Sequence, residues 1–327
     1  MTARSEQRLP QWALICGFAL QVAPFPAHAQ DYPARPVHVI VGFIPGSAAD
    51  ITARVLGQGM GRIVGQQFVI ENKPGAGSSL AADFVAHAPK DGYTLFVGSS
   101  ANITNAAINP NLAFDMAKDF APIALATSVA VILVVHPSLG VNSVQELIAR
   151  AKARPGEVLY ASPGVGTASH LAAELFAIRS GVTLVHVPYQ GSPQAVTDLI
   201  AGRTTMMFSP ASAVIAQVET GKLTALASAA AKRPSVAPDL PTMAEAGMPD
   251  FDTSIWFGFM APAGTPREIV DKLARAADQS LKSSEALKSL NAQGFDALGG
   301  GPDDFARTIR SEIKRWGEAA QAAGLRK

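Results

Sequence analysis

Short apolar runs alternate with amphipathic segments through the first third of this chain. The run 37–41, VHVIV, is apolar and β-branched, which favours a strand, and the breaker cluster 42–46 ends it. An amphipathic segment follows over 51–65. The same alternation predicts strands at 68–70 and 93–97 and a helix at 80–87. Strands that alternate with helices of this length indicate a parallel sheet with helices on its faces.

The pattern repeats further along the chain as a second α/β unit. Predicted strands, separated by predicted helices, fall at 131–135, 158–161, 182–187, 204–208 and 223–227. A further strand is predicted at 256–260, and Thr265 is the predicted N-cap of the helix after it. The stretch 103–130 shows no clear period. We therefore expect an α/β protein with domain 1 at 30–130 and 228–327 and domain 2 at 131–227.

The N-terminus has the pattern of a secretory signal peptide. Arg4 and Arg8 precede an apolar segment, and Ala27-His28-Ala29 forms a small-x-small cleavage site. Cleavage after residue 29 would leave a mature chain of about 300 residues, enough for two domains of ordinary size. The only cysteine, Cys16, lies within the signal. The sequence thus predicts a periplasmic protein whose core holds without disulfides.

Composition and missing motifs argue against several classes of function. The chain has 27 basic and 26 acidic residues without a long run of either sign, so nucleic-acid binding is not indicated. The P-loop, the nucleophile elbow and the zinc-protease helix motif are all missing. The histidines are scattered, without metal-ligand spacing. We expect no cofactor, no metal and no catalytic residue.

Two loops at predicted strand ends are candidate anion sites. Ser47 and Asp50 have capping-box spacing at the start of the 51–65 segment, and a helix start presents free N–H groups and a positive dipole end. The loop 162–170 repeats this design, with two glycines and two hydroxyl residues. It lacks the third glycine and the distal acid of a dinucleotide fingerprint. Because neither loop contains Arg or Lys, a carboxylate fits better than a phosphate.

Individual side chains keep two interpretations. Asp50 is primarily a structural cap that also can orient bound water, and His170 is a packed or capping histidine, with direct ligand contact as the alternative. Tyr189 covers the hinge or contacts the ligand. Trp256 is interpreted as core, with the cleft as the alternative, and Phe43 as a cleft wall, with the core as the alternative.

The chain resembles the Bug-type extracytoplasmic solute receptors, the periplasmic binding proteins of tripartite tricarboxylate transporters. The stretches that carry the resemblance are 32–50 (YPARPVHVIVGFIPGSAAD), 69–86 (VIENKPGAGSSLAADFVA), 91–100 (DGYTLFVGSS), 159–176 (LYASPGVGTASHLAAELF), 185–202 (VHVPYQGSPQAVTDLIAG), 240–251 (LPTMAEAGMPDF) and 256–266 (WFGFMAPAGTP). They follow the family order over nearly the whole mature chain.

The resemblance implies a two-domain type II periplasmic-binding-protein fold with a ligand cleft between the domains. It implies that the two loops grip a carboxylate, partly through ordered water, and it gives this role to Phe43, Gly46, Ser47, Asp50, Ser162, Gly164, Thr167, Ser169 and His170. The variable part of the ligand would meet Ser99, Ser100, Tyr189, Gln190 and Ser209.

The first loop departs from the family pattern Pro-Phe-x-x-Gly-Gly. Gly42 stands in place of the proline and Ser47 in place of the second glycine. Many relatives also have Asp or Asn where this chain has Ser209, so a ligand ammonium group would lose its counter-charge.

The sequence therefore predicts a non-catalytic, monomeric periplasmic receptor. It would capture a small organic carboxylate and deliver it to the membrane subunits of a tripartite tricarboxylate transporter. The alternatives are a periplasmic enzyme acting on a carboxylate or ester, and a sensor subunit for a signalling partner.

Overall fold

The computed structural model describes residues 2, 32–109, 111–249 and 251–322. The predicted signal peptide lies, except for residue 2, outside the described residues. The strands are β1 (Val37–Val41), β2 (Phe68–Asn72), β3 (Thr94–Ser99), β4 (Phe120–Val129), β5 (Val131–Val135), β6 (Leu159–Ser162), β7 (Val185–Pro188), β8 (Met206–Pro210), β9 (Thr224–Ser228), β10 (Ile255–Pro262) and β11 (Phe295–Ala297). The helices are α1 (Ala48–Val64), α2 (Ser79–Ala86), α3 (Ser100–Ile108), α4 (Val144–Ala153), α5 (Ala168–Ser180), α6 (Ser192–Ile200), α7 (Ala211–Glu219), α8 (Arg267–Leu281), α9 (Ser284–Asn291) and α10 (Pro302–Ala322).

These strands form two sheets, and we call the parts built on them lobe 1 and lobe 2. The sheet of lobe 1 has the order β11-β4-β10-β3-β1-β2, and that of lobe 2 the order β7-β6-β8-β5-β9. The chain passes from the first sheet to the second between Val129 and Val131 and returns between Ser228 and Ile255. The architecture is the α/β, two-domain type that the sequence predicts.

Both sheets are mixed, which corrects the expectation of parallel sheets. In lobe 1, β1 is parallel to β2 and β3, while β10 is antiparallel to β3 and β4. In lobe 2, β6 is parallel to β7 and β8, while β5 is antiparallel to β8 and β9. The antiparallel strands β4, β5, β9 and β10 flank the passages between the sheets, and local β–α alternation does not show the direction of such strands.

The structure also contains elements that periodicity did not predict. The stretch 103–130 holds most of α3 and all of β4. The α3 sequence is small and polar, and the β4 pairing is interrupted by register shifts against β10, so neither shows a clean period. The cap predicted at Thr265 is wrong: α8 begins one residue later, with Pro266 at the N-cap, and the Thr265 hydroxyl donates to the Pro262 carbonyl.

A continuous cluster of buried apolar side chains runs through both lobes, and a smaller one covers the other face of the first sheet. Trp256 belongs to the smaller cluster, where its ring meets the edge of Phe305 at a centroid distance of 5.3 Å. The interpretation of Trp256 as core is confirmed. Across the described ranges, no helix has the length and apolar character needed to span a membrane.

Candidate functional site

The first anion loop joins β1 to α1 and is built on Ser47 and Asp50. Ser47 is the N-cap of α1, and its hydroxyl accepts the Asp50 N–H at 3.4 Å. The Asp50 carboxylate does not close the capping box on Ser47. It accepts the N–H of Gly46, one residue earlier, at 2.9 Å. Ser47 still caps α1, but the Asp50 carboxylate bonds the turn before the helix instead of the Ser47 N–H.

Asp50 is buried and its carboxylate is bonded on three sides. Besides Gly46, it accepts the Asn72 amide and the Arg54 guanidinium, each at 2.9 Å. Burial alone raises the pKa of Asp50, but the hydrogen bonds from Arg54, Gly46 and Asn72 outweigh it and hold the pKa below its usual range. Asn72 also donates to the Phe43 carbonyl at 2.8 Å. Asp50 thus holds both ends of the loop in place.

The second anion loop joins β6 to α5 and repeats this local chemistry. Thr167 is the N-cap of α5: its hydroxyl accepts the His170 N–H at 3.3 Å and donates to the Gly164 carbonyl at 2.8 Å. Ser162 is fully buried, and its hydroxyl lies 3.2 Å from both the N and the O of Gly164. These two hydroxyls therefore shape the loop.

The two capped helices point at one cavity. Helix geometry leaves the first N–H groups of a helix without an intrahelical acceptor, and the caps take only those of Asp50 and His170. The preceding residues, Ala48–Ala49 of α1 and Ala168–Ser169 of α5, all line a central cavity of about 30 Å³ between the lobes. Two positive helix ends, one from each lobe, thus meet there.

The walls of the central cavity carry hydroxyl groups and apolar side chains. Five of the predicted site residues line it, namely Phe43, Ser47, Ser99, Thr167 and Ser169. Within the described part of the chain, the buried Ser169 hydroxyl has no hydrogen-bond partner in the protein. Of the described residues around this cavity, none has a charged side chain. A negative charge held here would therefore be stabilised only by helix dipoles and hydroxyl groups.

A second cavity, of about 530 Å³, lies at the mouth of the cleft. It is lined by Phe43 and by three more predicted residues, Gly164, Tyr189 and Gln190. Tyr189 donates its hydroxyl to Asp198 at 2.8 Å, and burial together with this bond raises its pKa to about 12. Tyr189 therefore presents a neutral ring to the mouth at physiological pH.

The remaining predicted residues line neither cavity. They are Gly46, Asp50, Ser100, Ser162, His170 and Ser209. His170 accepts the Gly166 N–H at Nδ1, and burial lowers its pKa. The Ser209 hydroxyl donates to the Pro210 carbonyl at 3.2 Å, and Pro210, not Ser209, reaches the cavity wall.

Sequence reasoning missed several wall residues. Ile255 and Phe257 come from β10, whose antiparallel place in the sheet the pattern did not show. The loop 75–78 lines the mouth. It follows β2, which is parallel to β1, so the rule that parallel strands end at one edge was the signal for it.

The lobes touch around the cleft. The Thr104 hydroxyl of α3 donates to the Gly166 carbonyl at 2.6 Å. A Cβ on Gly77 would lie 2.5 Å from the Val165 carbonyl oxygen, so only glycine permits this approach of the two loops. The structure is thus a closed arrangement, with central space for only one or two water-sized molecules. Among the described residues, no three His, Cys, Asp or Glu side chains gather as a metal site.

Comparison with known proteins finds a matching family and several solved structures of similar fold. The model of the "Tripartite tricarboxylate transporter family receptor" matches residues 52–325. The periplasmic binding protein BugD is 31% identical, with a TM-score of 0.87 over 90% of this chain and 100% of BugD. A structure of R. palustris Rpa4515 with adipate is 37% identical, with a TM-score of 0.86 over 90% and 99%.

MatC from Rhodopseudomonas palustris with bound malate is 34% identical, with a TM-score of 0.84 over 88% of this chain and 99% of MatC. The two-sheet fold, the facing helix starts and these matches lead to one assignment. The chain belongs to the tripartite tricarboxylate transporter receptor family.

Proposed function

We propose that this protein is a periplasmic receptor that holds a small organic carboxylate in the central cavity and delivers it to the membrane subunits of a tripartite tricarboxylate transporter. The observation that carries the proposal is the meeting of α1 and α5, whose first residues line one cavity without a charged side chain. The N–H groups of such helix starts and the hydroxyls can replace the water molecules around a carboxylate. Relatives solved with adipate and malate support this ligand class.

The same geometry gives a reason for closure. Because α1 belongs to lobe 1 and α5 to lobe 2, an anion between them contacts both lobes only when they are together. Such a ligand binds the closed state better than the open one and shifts the population towards it. We propose that the domain boundaries follow the passages between the sheets, near residues 130 and 228, and that membrane subunits recognise the closed monomer.

We also propose that the protein binds without turnover. The most suggestive catalytic pair is Ser162 with His186, whose Oγ and Nε2 are 2.7 Å apart. Ser162 is fully buried, and its hydroxyl is used by both polar atoms of Gly164. A nucleophile needs access to its substrate, so this pair supports the loop instead.

A thermal-shift screen of the mature protein against small carboxylates, including adipate and malate, tests the proposal. A carboxylate at a hundredfold excess over its Kd stabilises the fold by about 2.7 kcal/mol. We expect a shift with one class of acid and an unchanged ligand on product analysis. Consumption of the acid would support the enzyme alternative, and no shift with any acid would contradict the carboxylate proposal.

Ser169→Phe locates the site. Ser169 lines the central cavity and is not a cap, so a phenyl ring there overfills a space of about 30 Å³ and prevents closure. We expect the variant to fold and to lose the ligand-induced shift. Ile178→Phe, at an exposed position of the same helix, is the matched control and should keep it. A normal shift in the Ser169 variant would place the ligand elsewhere.

A further inference from the structure

Three rings form a stack beneath the second anion loop in lobe 2. Tyr160 comes from β6, His186 from β7 and His170 from α5. The Tyr160 and His186 centroids are 4.6 Å apart with planes 10° apart, and those of His186 and His170 are 4.3 Å apart. Tyr160 donates its hydroxyl to Glu174 of α5. The Tyr160 and His170 centroids are 6.3 Å apart, so the three rings pack against one another and His186 contacts both of the others.

Two members of the stack hydrogen-bond the loop. His186 Nε2 lies 2.7 Å from the Ser162 hydroxyl, and His170 Nδ1 accepts the Gly166 N–H at 3.3 Å. Gly164 adopts a φ of 147°, a value that favours glycine, and the Ser162 hydroxyl contacts both its N and its O. The Gly164 carbonyl also accepts the Thr167 hydroxyl. The chain of contacts therefore runs from His186 through Ser162 and Gly164 to the cap of α5.

The hydrogen count selects one state of His186. The Ser162 hydroxyl has a single proton, and its oxygen accepts the Gly164 N–H. If His186 carries its proton on Nε2 and donates it to Ser162, the Ser162 proton remains for the Gly164 carbonyl, and all three contacts form together. If Nε2 carries no proton, the single Ser162 hydroxyl proton can be donated to His186 or to that carbonyl, but not to both. Burial, and then the neighbouring His170, lower the pKa of His186 to about 4, so it is neutral at physiological pH.

We propose that His186 is a positioning residue for carboxylate binding: its Nε2–H orients the Ser162 hydroxyl, which sets the Gly164 turn and aims the first N–H groups of α5 into the central cavity. This inference rests on the proposed function. His186 itself does not touch the cavity, since none of its atoms belongs to the walls of either cleft cavity. Its effect on affinity must pass through Ser162.

The chain offers informative substitutions at this position. His186→Phe keeps a stacked ring and removes the donor. His186→Gln removes the ring and restores an N–H donor at a similar reach. His136→Phe is the matched control because His136 forms another histidine–serine bond of 2.7 Å, with Ser138, on the exposed surface of lobe 2.

The first measurement needs no carboxylate: amide hydrogen exchange of the full mature chain over 163–169. We expect His186→Phe to accelerate exchange there about tenfold and to leave 44–50 unchanged, while His186→Gln and His136→Phe exchange like the wild type. Unchanged exchange at 163–169 in the Phe variant, or no recovery in the Gln variant, overturns the positioning role.

The second measurement is calorimetric titration with adipate, combined in a double-mutant cycle with Ser162→Ala. We expect His186→Phe to weaken adipate binding about tenfold alone and less than twofold in the Ser162→Ala background. Equal effects in both backgrounds would show that His186 does not act through Ser162. A wild-type protein that does not bind adipate would exclude adipate as its ligand, and the exchange result would still decide the role of His186.

Discussion

Replacing Asp50 with asparagine tests how the first anion loop is held. Asp50 accepts hydrogen bonds from Gly46, Asn72 and Arg54 and is almost completely buried. A hydrogen bond to a charged group stabilises a fold by about 1.5–3 kcal/mol. We count the Arg54 bond at a small fraction of this, because the Arg54 side chain is half exposed and solvent screens the pair.

Asparagine keeps one acceptor oxygen and places an amide donor against other donors. We therefore expect Asp50→Asn to lower the free energy of unfolding at pH 7 by about 2–3 kcal/mol, since the bonds are not additive. The midpoint of thermal unfolding should fall by about 4–12 °C, given roughly 2–4 °C per kcal/mol for large domains. Urea unfolding followed by tryptophan fluorescence measures the difference.

The difference must also depend on pH. The pKa of Asp50 in the folded protein lies below its value in the unfolded chain, about 3.9. Its contribution to stability is therefore complete above that value and is lost as the pH falls through the folded-state pKa. The gap between wild type and variant should therefore shrink as the pH falls below about 4. A gap below 0.5 kcal/mol at pH 7, or one that does not change with pH, would refute the reasoning; Asp239→Asn, at an exposed position, is the control.

Two further predictions concern packing. Gly42→Ala should destabilise the protein by about 2–3 kcal/mol, because the new Cβ would lie 1.9 Å from the Ser78 Oγ and 2.7 Å from its Cα. Adding Ser78→Gly should recover part of the loss, and equal unfolding midpoints for the single and double variants would contradict this pairing. Phe176→Ala should cost about 3–5 kcal/mol in urea unfolding, since the ring is fully buried 5.9 Å from that of Phe208; a loss below 1 kcal/mol would show that the site collapses.

The comparison between sequence and structure separates local from distant interactions. The cap Ser47 was readable because a cap bonds an N–H three residues away, within one stretch of sequence. Thr167 has the same spacing to its bonded N–H, but the sequence indicated it only as one of two hydroxyl residues at the start of the next helix. The strand ends were readable from the apolar runs. The direction of β10 was not, because it depends on which distant strand lies beside it.

By itself, the sequence determined the α/β class, two helix starts of the same chemistry, and the preference for an anion without a fixed counter-charge. The tertiary structure decided that the two helix starts face one cavity, that Asp50 and Ser162 support the loops from behind, and that His186 meets Ser162 from a neighbouring strand. The physical reason is the separation along the sequence between the residues that interact. Caps and turns are set by neighbours along the chain, whereas the convergence of N–H groups depends on how two sheets, far apart in sequence, pack together.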